Sequence, residues 1–321
     1  MSRHLSRNFA TLRARGVSMV ELLVALAIGS VLIAGAVFVY SQSRNSYGVN
    51  ETVARLQETA RYAMSVIEPD VRMSSFWGLV NDPELINGRA RQGDAVAAVA
   101  SGAPANACGN NYAVDLYTTV EGSDGAYALN CDPGTGADTA QAETDTLTVR
   151  RASSNASAAA VNRLQVWTTR TTGRLFSDGV APGALAPTGQ INDLIVDSYY
   201  VAADSDGRAA IPSLRRQMLI PGPAFQDQEI VTGVEDMQVQ FGIDPNGVLG
   251  IATRYVDPGT ALPVGAQVVA VRVWILVRAD QPEVGFVDNR TYTMGNRIYQ
   301  PNDAFRRVLL TRTIQVRNSL G

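Results

Sequence analysis

The residues around Gly16 and Glu21 suggest two chemical events, a cleavage of the backbone and a pairing of the new N-terminus with a carboxylate. Glu21 is the only charged residue in the run 17–40, whose other members are mostly apolar. A carboxylate near the centre of a bilayer costs about 2.5–3.5 kcal/mol, so Glu21 requires a partner. Cleavage between Gly16 and Val17 would supply an α-ammonium group four residues before it, close enough to pair on a helix. The same pair could instead join two chains, which would fix their axial register.

The composition lacks the side chains on which several common types of catalysis depend. All 27 basic residues are arginine, and the single histidine is His4. The absence of lysine excludes Schiff-base and P-loop lysine chemistry. If His4 is removed with a leader, histidine catalysis, Ser-His-Asp triads and histidine-ligated metals are excluded as well. The sequence therefore predicts no enzyme and no cofactor.

The net charge also restricts the partners. Residues 1–16 carry four arginines and no acid, so the rest of the chain holds 23 arginines against 30 acids, a formal charge of −7. Phosphate binding needs a positive field, and an acidic body argues against nucleic acid as the main partner.

Two cysteines, Cys108 and Cys131, are the only ones in the chain. In an oxidising compartment such a pair forms a disulfide, and closing a loop of about 24 residues stabilises by about 3 kcal/mol. The alternative is two buried free thiols. Two cysteines without histidine do not make a structural zinc site.

Two acidic turns are weak calcium candidates, although no metal site is predicted. One holds Asp204 and Asp206 in Asp-Ser-Asp-Gly, and the other holds Asp244 in Asp-Pro-Asn-Gly. Both offer oxygen ligands but lack the later bidentate glutamate of a full calcium loop. Asp-Gly and Asn-Gly are also ordinary hairpin turns, which is the favoured interpretation.

The element that must carry Glu21 is a membrane-spanning helix. Residues 17–40 would form a helix about 36 Å long, enough to cross a hydrocarbon core of about 30 Å. The four arginines before it keep its N-terminal side in the cytoplasm, so the rest lies across the membrane, where the cysteines would oxidise. A signal peptide cut after Ala36 and an uncleaved anchor are the alternatives. The apolar run is longer than the apolar region of a typical signal peptide, and neither alternative explains the presence of Glu21.

The helix is predicted to continue beyond the membrane as an amphipathic element. An apolar stripe recurs every three or four residues, at Val49, Val53, Leu56, Ala60, Ala63, Met64, Ile67 and Val71. We expect the helix to run from Val17 to Glu68 with an interruption at Pro69, inside a helical region assigned as 17–76. Its stripe would be covered either by a coiled-coil partner or by the chain's own globular head.

Residues 77–321 are predicted to form that head, rich in antiparallel β-structure. Strands are expected at 114–120, 146–150, 164–169, 194–201, 215–220, 234–243, 268–277 and 308–316. The last alternates apolar and polar residues as a half-buried strand does, whereas 268–277 is apolar on both faces and should lie centrally in a sheet. Stretches 98–111, 132–145 and 153–160 are predicted to be loops. The fold class is therefore α+β.

The sequence around the predicted cleavage point, Arg-Gly-Val-Ser-Met-Val-Glu-Leu-Leu-Val-Ala at 15–25, resembles the class III signal of type IV pilins and type II secretion pseudopilins. The resemblance implies cleavage after Gly16 by a prepilin peptidase, with 1–16 as the leader, and N-methylation of Val17. It also implies that Glu21 neutralises a neighbouring subunit's N-terminus. The family commonly has Phe where this chain has Val17.

The head carries further resemblance to the PilW family of minor pilins. The matching segments are Phe-Trp-Gly at 76–78, Val-Glu-Asp-Met-Gln-Val-Gln-Phe-Gly at 234–242, Arg-Tyr-Val at 254–256 and Val-Ala-Val-Arg-Val at 269–273. The resemblance implies a pilin-like subunit that is anchored in the inner membrane, with its head in the periplasm, and then incorporated into a pilus, at the tip. Expected partners are other minor pilins, the major pilin and a tip adhesin. A J-type pseudopilin of type II secretion and a membrane-anchored periplasmic enzyme or binding module are the alternatives.

Overall fold

A computed structural model describes residues 16–95, 108–131, 133, 139–182, 189–222 and 224–318. The chain divides into two compact units, residues 1–51 and residues 52–321. One long helix, α1 (Met19–Met73), contributes to both of them.

The first unit contains the first part of α1, which is apolar up to residue 40 and mostly polar from 41 to 51, and the short segment before it. Ser18 precedes the helix, and its hydroxyl accepts a hydrogen bond from the N–H of Val20 at 3.3 Å, as a helix cap does. The apolar side chains along this part are exposed; Leu23, for example, is 63% exposed. Within the described residues, α1 is the one helix long and apolar enough to cross a membrane.

The second unit begins with the amphipathic part of α1. The predicted stripe is buried from Leu56 onward, and Ala63, Ile67 and Val71 are fully enclosed. The stripe packs on the head's main core, where it meets residues of both large sheets. The prediction that the head covers the stripe is confirmed.

The predicted interruption at Pro69 is wrong, because α1 continues through it to Met73. Proline removes one helical hydrogen bond, but tertiary contacts hold the turn that follows. Asp70 accepts hydrogen bonds from Arg151 at 2.6 Å and from the hydroxyl of Tyr199. Val71, one residue further, is buried in the core.

Fourteen strands follow in the described part of the chain, together with a 3₁₀ helix at Pro83–Leu85. They are β1 (Ile86–Asn87), β2 (Val120–Glu121), β3 (Leu147–Ala156), β4 (Val161–Thr168), β5 (Gly173–Asp178), β6 (Gln190–Ala202), β7 (Ser213–Ile220), β8 (Ala224–Thr232), β9 (Val234–Asp244), β10 (Arg254–Val256), β11 (Gln267–Arg278), β12 (Tyr292–Met294), β13 (Arg297–Tyr299) and β14 (Arg307–Gln315).

The strands form two large sheets and a hairpin. The larger sheet has eight strands, with the path β1-β5-β4-β6-β3-β2 and with β7 and β8 added beside β6. The second sheet has the order β10-β9-β11-β14, and β12 pairs with β13. All pairings are antiparallel except the short one between β1 and β5. The fold class predicted from the sequence, α+β with a long N-terminal helix and a β-rich head, is confirmed.

Three hydrophobic clusters divide the faces of these sheets. The main core lies against α1, and β11 contributes Val271, Val273, Ile275 and Val277 to it. Trp274 and Leu276 point from the opposite face of β11 into a small cluster with the β12–β13 hairpin. A third cluster joins the other face of the eight-stranded sheet to the segment around Trp77 and Tyr112. The prediction that 268–277 is a central strand is confirmed, since β11 lies between β9 and β14.

The prediction of a strand at 114–120 is wrong except at its end, where β2 begins. The carboxylate of Asp115 accepts hydrogen bonds from the N–H groups of Tyr117 and Thr118, each at 3.1 Å. These local bonds turn the backbone away from an extended path. The other predicted strands are present with shifted ends, and six of the described strands were not predicted, namely β1, β5, β8, β10, β12 and β13.

The predicted loops have mixed outcomes. Residues 153–156 belong to β3, so the expected loop at 153–160 is shorter than predicted. Of the other two loops, 98–107, 132 and 134–138 lie outside the described residues, as does the leader before Gly16.

Candidate processing site and head surfaces

The peptide bond between Gly16 and Val17 lies just outside α1. Both residues are exposed and non-helical, and no atom lies within 4 Å of where a Cβ on Gly16 would stand. Ser18 then caps the helix, and its carbonyl accepts the N–H of Leu22 at 3.0 Å. The bond is therefore exposed and lies outside regular secondary structure.

Glu21 lies in the first turn of α1 and is exposed. An acid there is favoured by the positive end of the helix dipole. Val17 precedes the first helical residue, so the helical spacing of four residues does not by itself bring its nitrogen to Glu21 in the uncleaved chain. The arrangement leaves the carboxylate open to a group from another chain.

The predicted disulfide between Cys108 and Cys131 is present in the structure. Cys108 is buried in the cluster that contains Trp77 and Tyr112, and Cys131 packs against it. The bridge therefore closes a loop whose first residues form part of a core.

Arg150 on β3 fixes the same loop from the opposite side. Its guanidinium is fully buried and donates to the carbonyl oxygens of Tyr112 at 2.7 Å and Thr118 at 2.6 Å. It also forms an ion pair with Glu121 at 2.5 Å. Arg150 thus satisfies backbone acceptors that the irregular loop leaves without a sheet partner.

The first calcium candidate is occupied by the chain's own cation. Asp206 lies 2.8 Å from a guanidinium nitrogen of Arg215, which also pairs with Asp227 and Glu229. Asp204 accepts a hydrogen bond from the N–H of Ala210. Although Arg215 is buried, its hydrogen bonds to these carboxylates raise its pKa, so the positive charge is permanent. The arginine supplies the charge that a metal ion would bring.

The second calcium candidate, Asp244, closes a turn at the end of β9. Burial alone would raise the pKa of Asp244, but N–H groups of Gly250, Leu249 and Asn246 donate to its carboxylate and lower it. Its oxygens are therefore engaged by backbone donors. Among the described residues, no group of three or more histidine, cysteine or acidic side chains could hold a metal ion.

A buried acid pair between α1 and the eight-stranded sheet was not predicted. Asp197 on β6 adjoins Asp70 on α1, and Arg216 lies 3.1 Å from Asp197. Burial, together with the negative charge of Asp70, raises the pKa of Asp197 to about 7. No sequence signal finds this pair, because its members lie more than a hundred residues apart.

A cleft of about 520 Å³ opens between the segment that follows α1, residues 116–120 and the start of β11. Trp77, Arg91, Tyr117, Leu262 and Gln267 are among its lining residues. The Trp77 indole nitrogen and the Gln267 amide oxygen are buried without a hydrogen-bond partner among the described residues. Such groups are uncommon in folded proteins and mark the cleft as unusual.

Comparison with known proteins addresses the N-terminal segment and the head separately. Residues 198–318 match the family model described as Type IV Pilus-assembly protein W, or PilW. The resemblance to the PilW family is confirmed. Residues 11–37 match the model described as Prokaryotic N-terminal methylation motif, so the resemblance of the segment around Gly16 is confirmed as well.

Two further comparisons add little. No curated protein matches the chain. Among solved structures, the chain is similar to a type IV-like pilin from Thermus thermophilus, at 12% identity and a TM-score of 0.39, over 83% of this chain and 98% of that one. We draw no argument from that likeness.

The PilW match begins inside β6 and ends after β14, so it contains the whole four-stranded sheet. The glycines of the PilW-like segments have packing roles there and nearby. A Cβ on Gly242 would lie 2.8 Å from the Cβ of Ala252 and 2.9 Å from the Tyr255 ring. Gly78, before the matched region, has φ +99° and lies against the Thr168 hydroxyl. These residues shape the head rather than form a catalytic group.

Proposed function

We propose that the chain is a minor pilin of a type IV pilus that helps to prime filament assembly, and that it is not an enzyme. The observation that carries this proposal is the presence, on one chain, of the N-terminal methylation motif at 11–37 and the PilW match at 198–318. Twitching motility and adhesion would depend on the assembled pilus rather than on chemistry at this chain.

In this proposal a prepilin peptidase cuts after Gly16 and methylates the nitrogen of Val17. The exposed, non-helical backbone before α1 supports access to that bond. Before assembly the protein is held in the inner membrane by residues 17–40, with its head in the periplasm. It then enters the filament at or near the tip, in contact with other minor pilins, the major pilin and an adhesin.

The intact mass of the mature chain tests the processing step. We expect loss of residues 1–16 and the addition of one methyl group. An unprocessed N-terminus, or a chain that begins after Ala36, would show a membrane anchor or a signal peptide instead.

Replacing Glu21 by alanine tests the assembly step. The variant should be processed normally but should be depleted from sheared pili, because its carboxylate no longer neutralises a neighbouring ammonium group in apolar surroundings. Glu58→Ala, on an exposed part of the same helix, is the control. Normal incorporation of the Glu21 variant would refute the pairing.

Deletion of the gene distinguishes the pilus from type II secretion. Loss of surface pili with normal protein secretion supports the proposal, whereas the reverse result would identify a J-type pseudopilin.

A further inference from the structure

One end of the four-stranded sheet presents aliphatic side chains to solvent. The loop after β9 exposes Val248, Leu249 and Ile251, and the loop before β11 exposes Leu262 and Val264, the last one completely. The two loops touch, since a Cβ on Gly247 would lie 3.0 Å from the carbonyl oxygen of Gly265. Clustered aliphatic side chains in solvent indicate an interaction surface.

Three exposed arginines surround these loops. Arg254 begins β10 and lies opposite Ile243, while Arg317 follows β14, and its N–H approaches the carbonyl oxygen of Arg72 at the end of α1. Arg91 lines the adjoining cleft together with Leu262. The loop-end surface is defined by Arg91, Val248, Leu249, Ile251, Arg254, Leu262, Val264 and Arg317.

These arginines differ from most others in the head because they lack carboxylate partners. Within the described residues, none of the three forms an ion pair, whereas Arg150, Arg215 and Arg307 are each paired with at least one acid.

The guanidinium of Arg91 is held in place without a carboxylate. It lies 4.0 Å from the centre of the Tyr117 ring, and Arg89 lies 5.3 Å from the same ring. A cation that is oriented by an aromatic ring loses little freedom when it binds an anion.

We propose that the loop-end surface docks another pilus subunit, through a patch on that subunit that combines aliphatic side chains with carboxylates. We choose this partner on charge complementarity. The chain has a formal charge of −7 after loss of residues 1–16, yet three unpaired arginines lie around one aliphatic surface, and carboxylates on a partner would complement them. Arg91 receives a carboxylate at the cleft, and Val264 and its neighbours become buried. This inference rests on the proposed function and names the partner's chemistry.

Photo-crosslinking in living, piliated cells tests the proposal on the full chain. p-Benzoylphenylalanine replaces Val264, and ultraviolet light should join it to a different protein that carries its own prepilin-type segment, identified by mass spectrometry. The matched control is the same residue in place of Val284, which is equally exposed but lies beyond the opposite end of β11. That position should give no such product.

The outcomes separate this inference from the proposed function. Crosslinks at 264 only to a second copy of this chain, to lipid or to nothing would overturn the docking proposal, even with normal processing and piliation. A pilin-type crosslink at 284 in place of 264 would overturn it as well. An unprocessed N-terminus, by contrast, would refute the proposed function itself.

Charge reversal tests the arginines. Arg91→Glu combined with Arg254→Glu should reduce the yield of the 264 crosslink at least about tenfold, which corresponds to about 1.4 kcal/mol of binding free energy. Arg91→Lys with Arg254→Lys keeps the charge and should retain most of the yield. Unchanged tryptophan emission verifies that the variants fold, and an undiminished yield in the glutamate variant would refute the role of charge.

Discussion

The two parts of α1 share one backbone conformation but are adapted to different surroundings. Residues 19–40 are almost entirely apolar and exposed, and the mostly polar residues 41–51 continue the helix, whereas residues 52–73 carry one apolar stripe that the head buries from Leu56 onward. The first part therefore requires partners outside the chain, such as lipid or neighbouring helices, and the second part has its partners within the chain. The comparison separates residues that the chain leaves exposed from residues that stabilise the head.

The largest expected effect concerns the exposed part. Gly16→Ala should abolish removal of the leader, because the proposed cleavage follows that glycine, which lies within the methylation-motif match at 11–37. Intact mass would show the full-length chain, and pili would lack the protein. Gly29→Ala is the matched control, since no atom lies within 4 Å of a Cβ there either; its chain should be processed. Equal processing of both variants would refute the role of Gly16.

A core truncation sharpens the comparison between the two parts. Ile67→Ala should lower the free energy of unfolding of the head by about 2–5 kcal/mol, because it leaves a cavity under the sheets. Leu23→Ala should leave it unchanged, since Leu23 is exposed. Denaturation of the full chain in detergent, followed by tryptophan emission, measures both. All three tryptophans, Trp77, Trp167 and Trp274, lie in the head. A similar loss of unfolding free energy in both variants would contradict the division of α1 into an exposed part and a part that stabilises the head.

Removal of the disulfide should have a comparable or smaller effect, again in the head alone. Cys108→Ser with Cys131→Ser should destabilise the head by about 2–4 kcal/mol through the greater freedom of the unfolded chain. Leader removal should be unaffected, because the bridge lies outside the matched N-terminal segment. The urea midpoint and the intact mass test the two statements separately, and an unprocessed double variant would contradict the independence of the regions.

The smallest effect is a pH dependence at the junction of α1 and β6. Asp197 has a pKa raised from 3.8 to about 7, so between these values the folded state holds a proton that the unfolded state releases. This group's contribution to stability is therefore present at low pH and is lost as pH rises towards about 7. Asp70, Arg151, Arg216 and Tyr199 surround it.

Urea midpoints at pH 5 and pH 7.5 measure the summed effect of the acids whose pKa is raised into this interval, which include Asp145 and Asp236 as well as Asp197. Asp197→Asn should therefore reduce the difference between the midpoints without abolishing it. The carboxylates with lowered pKa, such as Asp303, change protonation below their ordinary pKa of 3.8 and do not contribute to this interval. If the difference between the two urea midpoints is the same in the Asp197→Asn variant, Asp197 does not titrate between pH 5 and pH 7.5.

About half of the described strands were predicted, mainly those in which burial follows a period of two or covers both faces. β11 was placed centrally because its residues are apolar on both sides, and the structure buries them in two clusters. β8 was missed because it is polar and half-exposed, and it pairs only with β7. Its conformation depends on backbone hydrogen bonds, which leave no hydrophobic pattern in the sequence.

Among the candidate sites, too, some were predictable from the sequence and others were not. Gly16, Val17 and Glu21 were predicted from local signals, and all three lie within the methylation-motif match at 11–37. The cysteine pair was found because the chain has only two cysteines. The loop-end surface was missed because Arg91 and Leu262 are far apart in the chain and meet only at the cleft.

The sequence by itself determined the N-terminal methylation motif, the membrane-length helix, the α+β class and the cysteine pairing, since each depends on residues close in the chain or on composition. Tertiary structure alone decided that α1 continues past Pro69, that Asp70 adjoins Asp197, and that the arginines and aliphatic loops share one surface. The physical reason is that contacts with neighbours distant in sequence determine the stability of each of these features. This holds for a helix turn that lacks one hydrogen bond, for a buried carboxylate and for an unpaired arginine. Local patterns do not encode those neighbours.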